Sequence, residues 1–228
     1  MKILVSWSSG KDSAWMLHTL QQRHPGTVGG LLTTVNETFD RVAMHAVRRT
    51  LLQAQADAAG LPLHVVNIPW PCPNAEYEQR MGDAVKRLLG EGFTHVAFGD
   101  LFLEDVRRYR EDRLAGTALT PMFPLWKSKP TADLARDMIR GGLRAYLTCV
   151  DPRKLDPSFA GRAFDQGLLA DLPAGVDPCG ENGEFHSFVW AGPMFARPLD
   201  VSVGAVVTRD GFTFADVTHT AAVHHVRT

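Results

Sequence analysis

The chain has 228 residues, 24 Lys and Arg against 25 Asp and Glu, and a net charge of −1; 45% of it is hydrophobic and 21% charged. This is enough for one large or two modest folded units with an ordinary globular composition, and the balanced charge supplies no global field toward nucleic acid or a membrane. No apolar run approaches membrane-spanning length, no cleavable leader is recognisable, and Cys72, Cys149 and Cys179 form no Cys-x-x-Cys pair. These features predict a cytoplasmic protein with no membrane partner, and speak against a nucleic-acid partner other than through a local patch and against a zinc ribbon or dithiol redox centre.

Strand and helix patterns alternate along the first hundred residues. Strands are predicted at Lys2–Trp7, Val28–Val35, Leu63–Ile68 and His95–Gly99. Between them, Met44, Val47, Leu51, Ala54 and Ala58 give a helical period over Ala43–Ala59, ended by Gly60. Tyr77, Met81, Val85 and Leu88 give the next helix, ended by Gly90. Such alternation means βαβ units around a parallel sheet, with ligands beyond the carboxyl ends of the strands. Ser8–Ser13, Thr33–Asn36 and Asp100 all fall at such ends.

Beyond about residue 120 the pattern loosens. Prolines surround Phe123-Pro124-Leu125-Trp126, which reads as a linker packed by aromatics. Thr131 is expected to cap a short helix stopped by Gly141-Gly142. A strand over Ala145–Val150 and a short helix over Phe164–Leu169 follow. Three more strands are predicted at Ser187–Trp190, Val201–Val207 and Phe212–Val217, with turns at Gly192-Pro193 and Asp210-Gly211. The expected organisation is an α/β unit with a Rossmann-like parallel sheet over residues 1–124, then a smaller mixed α+β unit over residues 125–228.

Two segments carry the chemistry. The first is Val5-Ser6-Trp7-Ser8-Ser9-Gly10-Lys11-Asp12-Ser13, between an apolar strand and the helix beginning Ala14-Trp15-Met16-Leu17. Small residues there let backbone N–H groups meet an anion at a helix start; Lys11 adds a charge, and Ser8, Ser9 and Ser13 add hydroxyl donors. It is not a Walker A loop, because Val5 stands where that pattern needs Gly and Asp12 follows the Lys. The second is Asp177-Pro178-Cys179-Gly180-Glu181-Asn182-Gly183-Glu184-Phe185-His186, where two carboxylates three residues apart suit a loop that binds a metal or an amine. Asp100 ends the fourth strand, where a carboxylate can hold Mg²⁺ on a triphosphate, orient a substrate or simply cap the next helix. In the charged run Glu104–Arg113, mostly a solvated helix face, Arg107 is singled out as a pyrophosphate-binding charge. His45 suits either a substrate-facing position at a strand end or a polar position on a helix surface. Cys179 reads as a packed small side chain.

Lys11-Asp12-Ser13 resembles the PP-loop of the N-type ATP pyrophosphatases, usually Ser-Gly-Gly-Lys-Asp-Ser. Here Ser9 replaces the first Gly, a swap that costs energy if the backbone needs positive φ. Ser8–Ser13, Gly99-Asp100 with Arg107 and Glu111, Pro124-Leu125-Trp126, and Gly180–His186 followed by Gly192-Pro193 resemble, in this order, the short members of the diphthine–ammonia ligase family. The resemblance implies a PP-loop domain of the HUP type followed by a substrate domain. It implies ATP-dependent activation of a carboxylate as an acyl-adenylate, with release of pyrophosphate, then attack by ammonia or a small amine that displaces AMP. ATP binding is thereby expected of Ser8, Ser9, Gly10, Lys11, Asp12, Ser13, Thr33 and Arg107. Catalysis is expected of Lys11, Asp100, Glu181 and Glu184, with Mg²⁺ at Asp100, and substrate binding of His45, Asn182, Gly183 and His186. Two other readings stand beside it: an adenylating enzyme of tRNA thiolation, which predicts a basic patch and a reactive cysteine, and a nucleotide-sensing module, which needs no second-substrate site.

Overall fold

Ile3, Leu4 and Val5 are fully buried, as a strand covered on both faces requires, and with Ser6 they form β1 (Ile3–Ser6). A computed structural model describes residues 1–42 and 47–220 of the chain. Around β1 lie β2 (Val28–Asn36), β4 (Leu63–Ile68), β5 (His95–Ala97) and β6 (Thr120–Met122), all parallel, in the order β4-β2-β1-β5-β6. The two-residue strand β3 (Arg41–Val42) pairs antiparallel with the end of β2. Strand order reverses between β1 and β5, and a crevice opens at the carboxyl ends of such a switch point. Helices α1 (Lys11–Arg23), α2 (Arg49–Ala59), α3 (Asn74–Gly90) and α4 (Glu104–Leu114) connect these strands.

The rest of the chain builds a second, antiparallel sheet in the order β8-β7-β10-β9, from β7 (Arg144–Val150), β8 (Phe185–Ala191), β9 (Val201–Arg209) and β10 (Phe212–His219). Helices α5 (Thr131–Arg140) and α6 (Gln166–Asp171) complete it. The α/β expectation holds, and the α+β character of the second part with it.

Local departures have local causes. The fourth strand stops at Ala97, two residues early, because Gly99 passes against the start of α1: a Cβ there would stand 3.1 Å from the Asp12 carbonyl carbon and the Ser13 nitrogen. Gly90 is the last residue of α3, as expected, whereas Thr131 is the first residue of α5, with Pro130 in the cap position and no side-chain cap bond. Asp165 caps α6 through Leu168 N, which moves that helix two residues on and frees Phe164 for the core. β6 contains Pro121 and occupies a sheet edge, where proline is tolerated. Of the helix expected over residues 43–59, α2 accounts for Arg49–Ala59, and residues 43–46 lie outside those described.

The two sheets share one apolar core that runs from Val5, Trp7 and Leu17 through Leu51 to Leu147, Phe188 and Ala215. A buried amide side chain crosses it. Gln55, fully buried on α2, accepts from Trp7 Nε1 at 2.9 Å and donates to Ser9 O at 3.1 Å and Val189 O at 2.7 Å. Replacing it by Leu leaves the indole N–H without this acceptor and Val189 O without this donor, inside the core. Gln55→Leu is expected to cost about 2–4 kcal/mol of stability, read as a lower urea midpoint at unchanged m-value; a variant as stable as the parent would show that this amide is not what joins the layers.

Candidate active site

Ser9 takes φ 70, the left-handed region, so the serine that replaces glycine does sit at a strained position. The turn aims its carbonyl at β8, where it accepts from Val189 N at 3.0 Å. Lys11 N donates to Ser187 Oγ at 3.2 Å. The first turn of α1 is thus pinned to the strand that continues the acidic loop, and its N–H groups and dipole face the space between.

That space is a polar cavity of about 260 Å³, lined by Ser8, Gly10, Lys11, Asp12 and Ser13 from the first loop, Gly99 and Asp100 beyond β5, Arg110 on α4, and Cys179, Gly180, Glu181, Gly183 and His186 around the second loop. Lys11 is only 3% exposed, with Nζ 2.8 Å from Asp12 Oδ2 and within 5.4 Å of the Phe185 ring centre. Burial opposes its charge, but Asp12, with Cys179 and Glu181 adding to it, raises the Lys11 pKa, so the ammonium persists. Burial also pushes the carboxyls of Asp12 and Asp100 up. Each keeps a buried oxygen without a hydrogen-bond partner, Asp12 Oδ1 and Asp100 Oδ2, and the latter lies 3.6 Å from Arg110 Nε.

Glu181 enters the cavity with Oε1 accepting from Leu101 N at 2.7 Å. Burial raises its pKa to about 7, and the charges of Asp12 and Asp100 add to the effect. Gly180 permits the turn: φ is 68, and a Cβ would stand 2.9 Å from Phe185 O. His186 is pushed down to about 4 by burial, with Lys11 adding to it, so the imidazole is neutral at pH 7. Burial holds the Cys179 thiol protonated, and its Sγ donates to Thr131 O at 3.4 Å.

Ser9 is fully buried and does not line this cavity, and three further expected site residues stand elsewhere. Glu184 turns away from the cavity; its Oε1 accepts from Asp177 N at 3.0 Å and Asn182 Nδ2 at 3.2 Å, so the two glutamates do not converge. Asn182 is spent on that bond, and its carbonyl accepts from Lys154. Arg107 pairs with Glu111 at 2.8 Å and packs on the Phe123 and Trp126 rings at 4.7 and 4.9 Å, while Arg110, one turn on, lines the cavity. His45 lies outside the described residues. Sequence reasoning passed over Gln55, Arg110 and Ser187.

A second cavity of about 320 Å³ adjoins the first through Ser6, Ser8, Phe98, Arg110 and His186. Leu4, Leu32 and Val96 form apolar walls, and Thr33 lines it with a buried hydroxyl that has no hydrogen-bond partner. Its place at β1, β2 and β5 continues the crevice of the switch point.

Two family models meet on this chain: the diphthamide synthase N-terminal domain matches residues 1–115 and the diphthamide synthase C-terminal domain residues 130–220. The chain belongs to the diphthamide synthase family. Curated relatives agree along almost the whole length. The diphthine–ammonia ligases of Bos taurus and Homo sapiens are each 27% identical over 241 residues, covering 96% of this chain and 90% of the relative. That of Danio rerio is 27% identical over 237 residues, covering 95% and 92%. The protein is accordingly an ATP-dependent ligase of the diphthamide synthase family. No described helix is long and apolar enough to cross a membrane.

In this family member Glu184 Oε1 braces the loop through Asp177 N, while its buried Oε2 has no hydrogen-bond partner among the described residues. Glu184→Ala is expected to cost about 1–3 kcal/mol through the orphaned Asp177 N–H, whereas Glu184→Gln, which keeps an acceptor in place, should melt close to the parent. Thermal denaturation of the two variants distinguishes them, and equal melting of both would remove the bracing role.

Proposed function

We propose that this ligase forms AMP and pyrophosphate, adenylylating a carboxylate and transferring the acyl group to ammonia or a small amine. The carboxylate is diphthine-like and can be borne on a protein. The observation that carries this reading is that Lys11 and Glu181 open on one buried cavity and feel each other's charge. One suits an anionic leaving group, the other a cationic second substrate.

In this reading the triphosphate lies over the first turn of α1, held by Ser8, Ser9, Gly10, Lys11, Asp12 and Ser13, and the nucleoside enters the neighbouring cavity beside Thr33. The substrate carboxylate oxygen attacks the α-phosphorus and the bond to the bridging oxygen breaks. Lys11 and the helix amides take up charge on the departing pyrophosphate, a task that Arg110 shares in place of Arg107. The incoming nitrogen is collected as ammonium by Glu181, which removes a proton; the amine then attacks the acyl carbon and AMP leaves. Gly183 and neutral His186 border the substrate, and Glu184 and Asn182 keep the loop in shape.

Two cations, Lys11 and Arg110, meet three carboxylates, Asp12, Asp100 and Glu181, before a polyanion arrives. Among the described residues no cluster of three or more His, Cys, Asp or Glu forms a metal cage. The unpartnered oxygens of Asp12 and Asp100 suit Mg²⁺, which binds through one or two carboxylates together with substrate phosphates. Bound there, Mg²⁺ would supply charge neutralisation on the phosphates. We assign residues 1–124 to nucleotide binding and 125–228 to the substrate, in a cytoplasmic enzyme. Thiolation chemistry gains no support from Cys179, whose thiol is buried and protonated.

Lys11→Ala is expected to lose about 2–4 kcal/mol of transition-state stabilisation, measured as pyrophosphate release, with circular dichroism confirming the fold; unchanged release would remove Lys11 from the mechanism. The Glu181 pKa fixes a pH dependence. Below about 7 the side chain is a neutral acid that cannot collect ammonium, and above it a carboxylate that can. Amide formation should therefore rise through pH 7 in the parent. In Glu181→Gln it should be flat there and lower by roughly 10² or more, with ATP affinity retained in calorimetry. A parental pH profile in that variant would assign the titration to another group.

A further inference from the structure

β9 forms the edge of the antiparallel sheet, and among the described residues no strand pairs with its outer side. Exposed edges are usually guarded by Lys, Pro or other charges, because their unpaired N–H and C=O groups invite another strand. The run Val201-Ser202-Val203-Gly204-Ala205-Val206-Val207-Thr208 has none of these. Val206 and Val207 are 51% and 49% exposed. Charge is confined to the two ends, Asp200 before the run and Arg209 after it. Among the described residues neither has an ion-pair partner; Arg209 lies over the Phe214 ring at 4.7 Å.

Register decides what this edge can accept. Ala215 pairs with Val206 but Val217 with Val203, so β9 holds one extra residue, a bulge at Gly204-Ala205. Alternation therefore reverses across it. Val203 and Val206 share one face, both near Gly161, with Val201 and Thr208. Ser202, Val207 and Arg209 share the other. Asp200 joins that second face, since its carbonyl extends the ladder by accepting from Thr220 N.

An antiparallel pair of identical strands is related by a two-fold axis normal to the sheet, so facing residues must share a face. With the axis between Gly204 and Ala205, Val203 meets Val206, Ser202 meets Val207 and Val201 meets Thr208, each pair on one face. Asp200 then stands opposite Arg209, twice. A shift of one residue puts side chains on opposite faces, and a shift of two removes both charge pairs. The bulge, which elsewhere protects an edge, here makes the strand complementary to itself.

We propose that β9 is the interface of a homodimer, in which a second copy of this chain pairs antiparallel along residues 200–209 and joins the two four-stranded sheets into one of eight. The test is molar mass by sedimentation over a concentration series with the full chain, each protein checked by its melting temperature. The parent is expected to populate a two-chain species. Asp200→Arg alone, and Arg209→Asp alone, place like charges at both ends and should shift the midpoint of association at least tenfold toward higher concentration. The double variant Asp200→Arg/Arg209→Asp restores opposite charges and should recover it. Val206→Lys, which puts a charge in the middle, should give monomer with unaltered melting at low concentration. A parent that stays monomeric, single reversals that associate like the parent, or a double variant that does not recover would each overturn the interface.

Discussion

The carbonyl of Ser9 is the point on which the site depends. The residue is held in the left-handed region, which costs about 1–2 kcal/mol for a side chain other than glycine. Two bonds to one oxygen, from Val189 N and Gln55 Nε2, offset that cost at about 1 kcal/mol each. The bond from Val189 N also fastens the parallel sheet to the antiparallel one, as does the bond from Gln55 Nε2 to Val189 O. Strain at the phosphate loop and registry of the acidic loop are therefore a single constraint, because Val189 and Ser187 stand on the strand into which Gly180–Glu184 leads.

This coupling explains how so many ionisable groups tolerate burial together. An isolated ammonium at the depth of Lys11 would lose its proton or unfold the loop. Asp12 lies next in sequence on the same helical turn, so its carboxylate reaches the ammonium without any further folding. Arg110 does the like for Asp100 from α4, less closely. The cavity carries fixed charge of both signs before any ligand enters, and needs little reorganisation to meet a phosphate on one side and a cation on the other.

Much of this was legible in the sequence where a residue type and its position left one physical solution. The apolar run at Ile3–Val5 could only be a buried strand, and Lys11-Asp12-Ser13 after it could only start a helix facing the crevice. What stayed hidden had competing solutions of equal plausibility. Arg107 and Arg110 differ by one turn of a helix with no buried stripe, so periodicity cannot rank them. Glu181 and Glu184 are separated by a glycine at positive φ, and such a turn can send neighbouring carboxylates in opposite directions. Gln55 did leave a signal, a polar residue on the stripe of Leu51, Leu52 and Ala58, but an amide on an apolar face says nothing of its partners. β3 and β6 are too short for any pattern of alternation.

Alone among the described helices, α4 buries none of its residues, although it carries Arg110 in the wall common to both cavities. It is held by partly exposed ion pairs, Arg113 with Glu78 and Lys127 with Glu104, and by Arg107 against two rings. Exposed pairs contribute at most about 1 kcal/mol each, and salt weakens them. Lifting α4 exposes little apolar surface, whereas parting the two sheets would open the whole shared core. Opening the crevice at α4 therefore costs less than parting the two sheets, and added salt lowers that cost further.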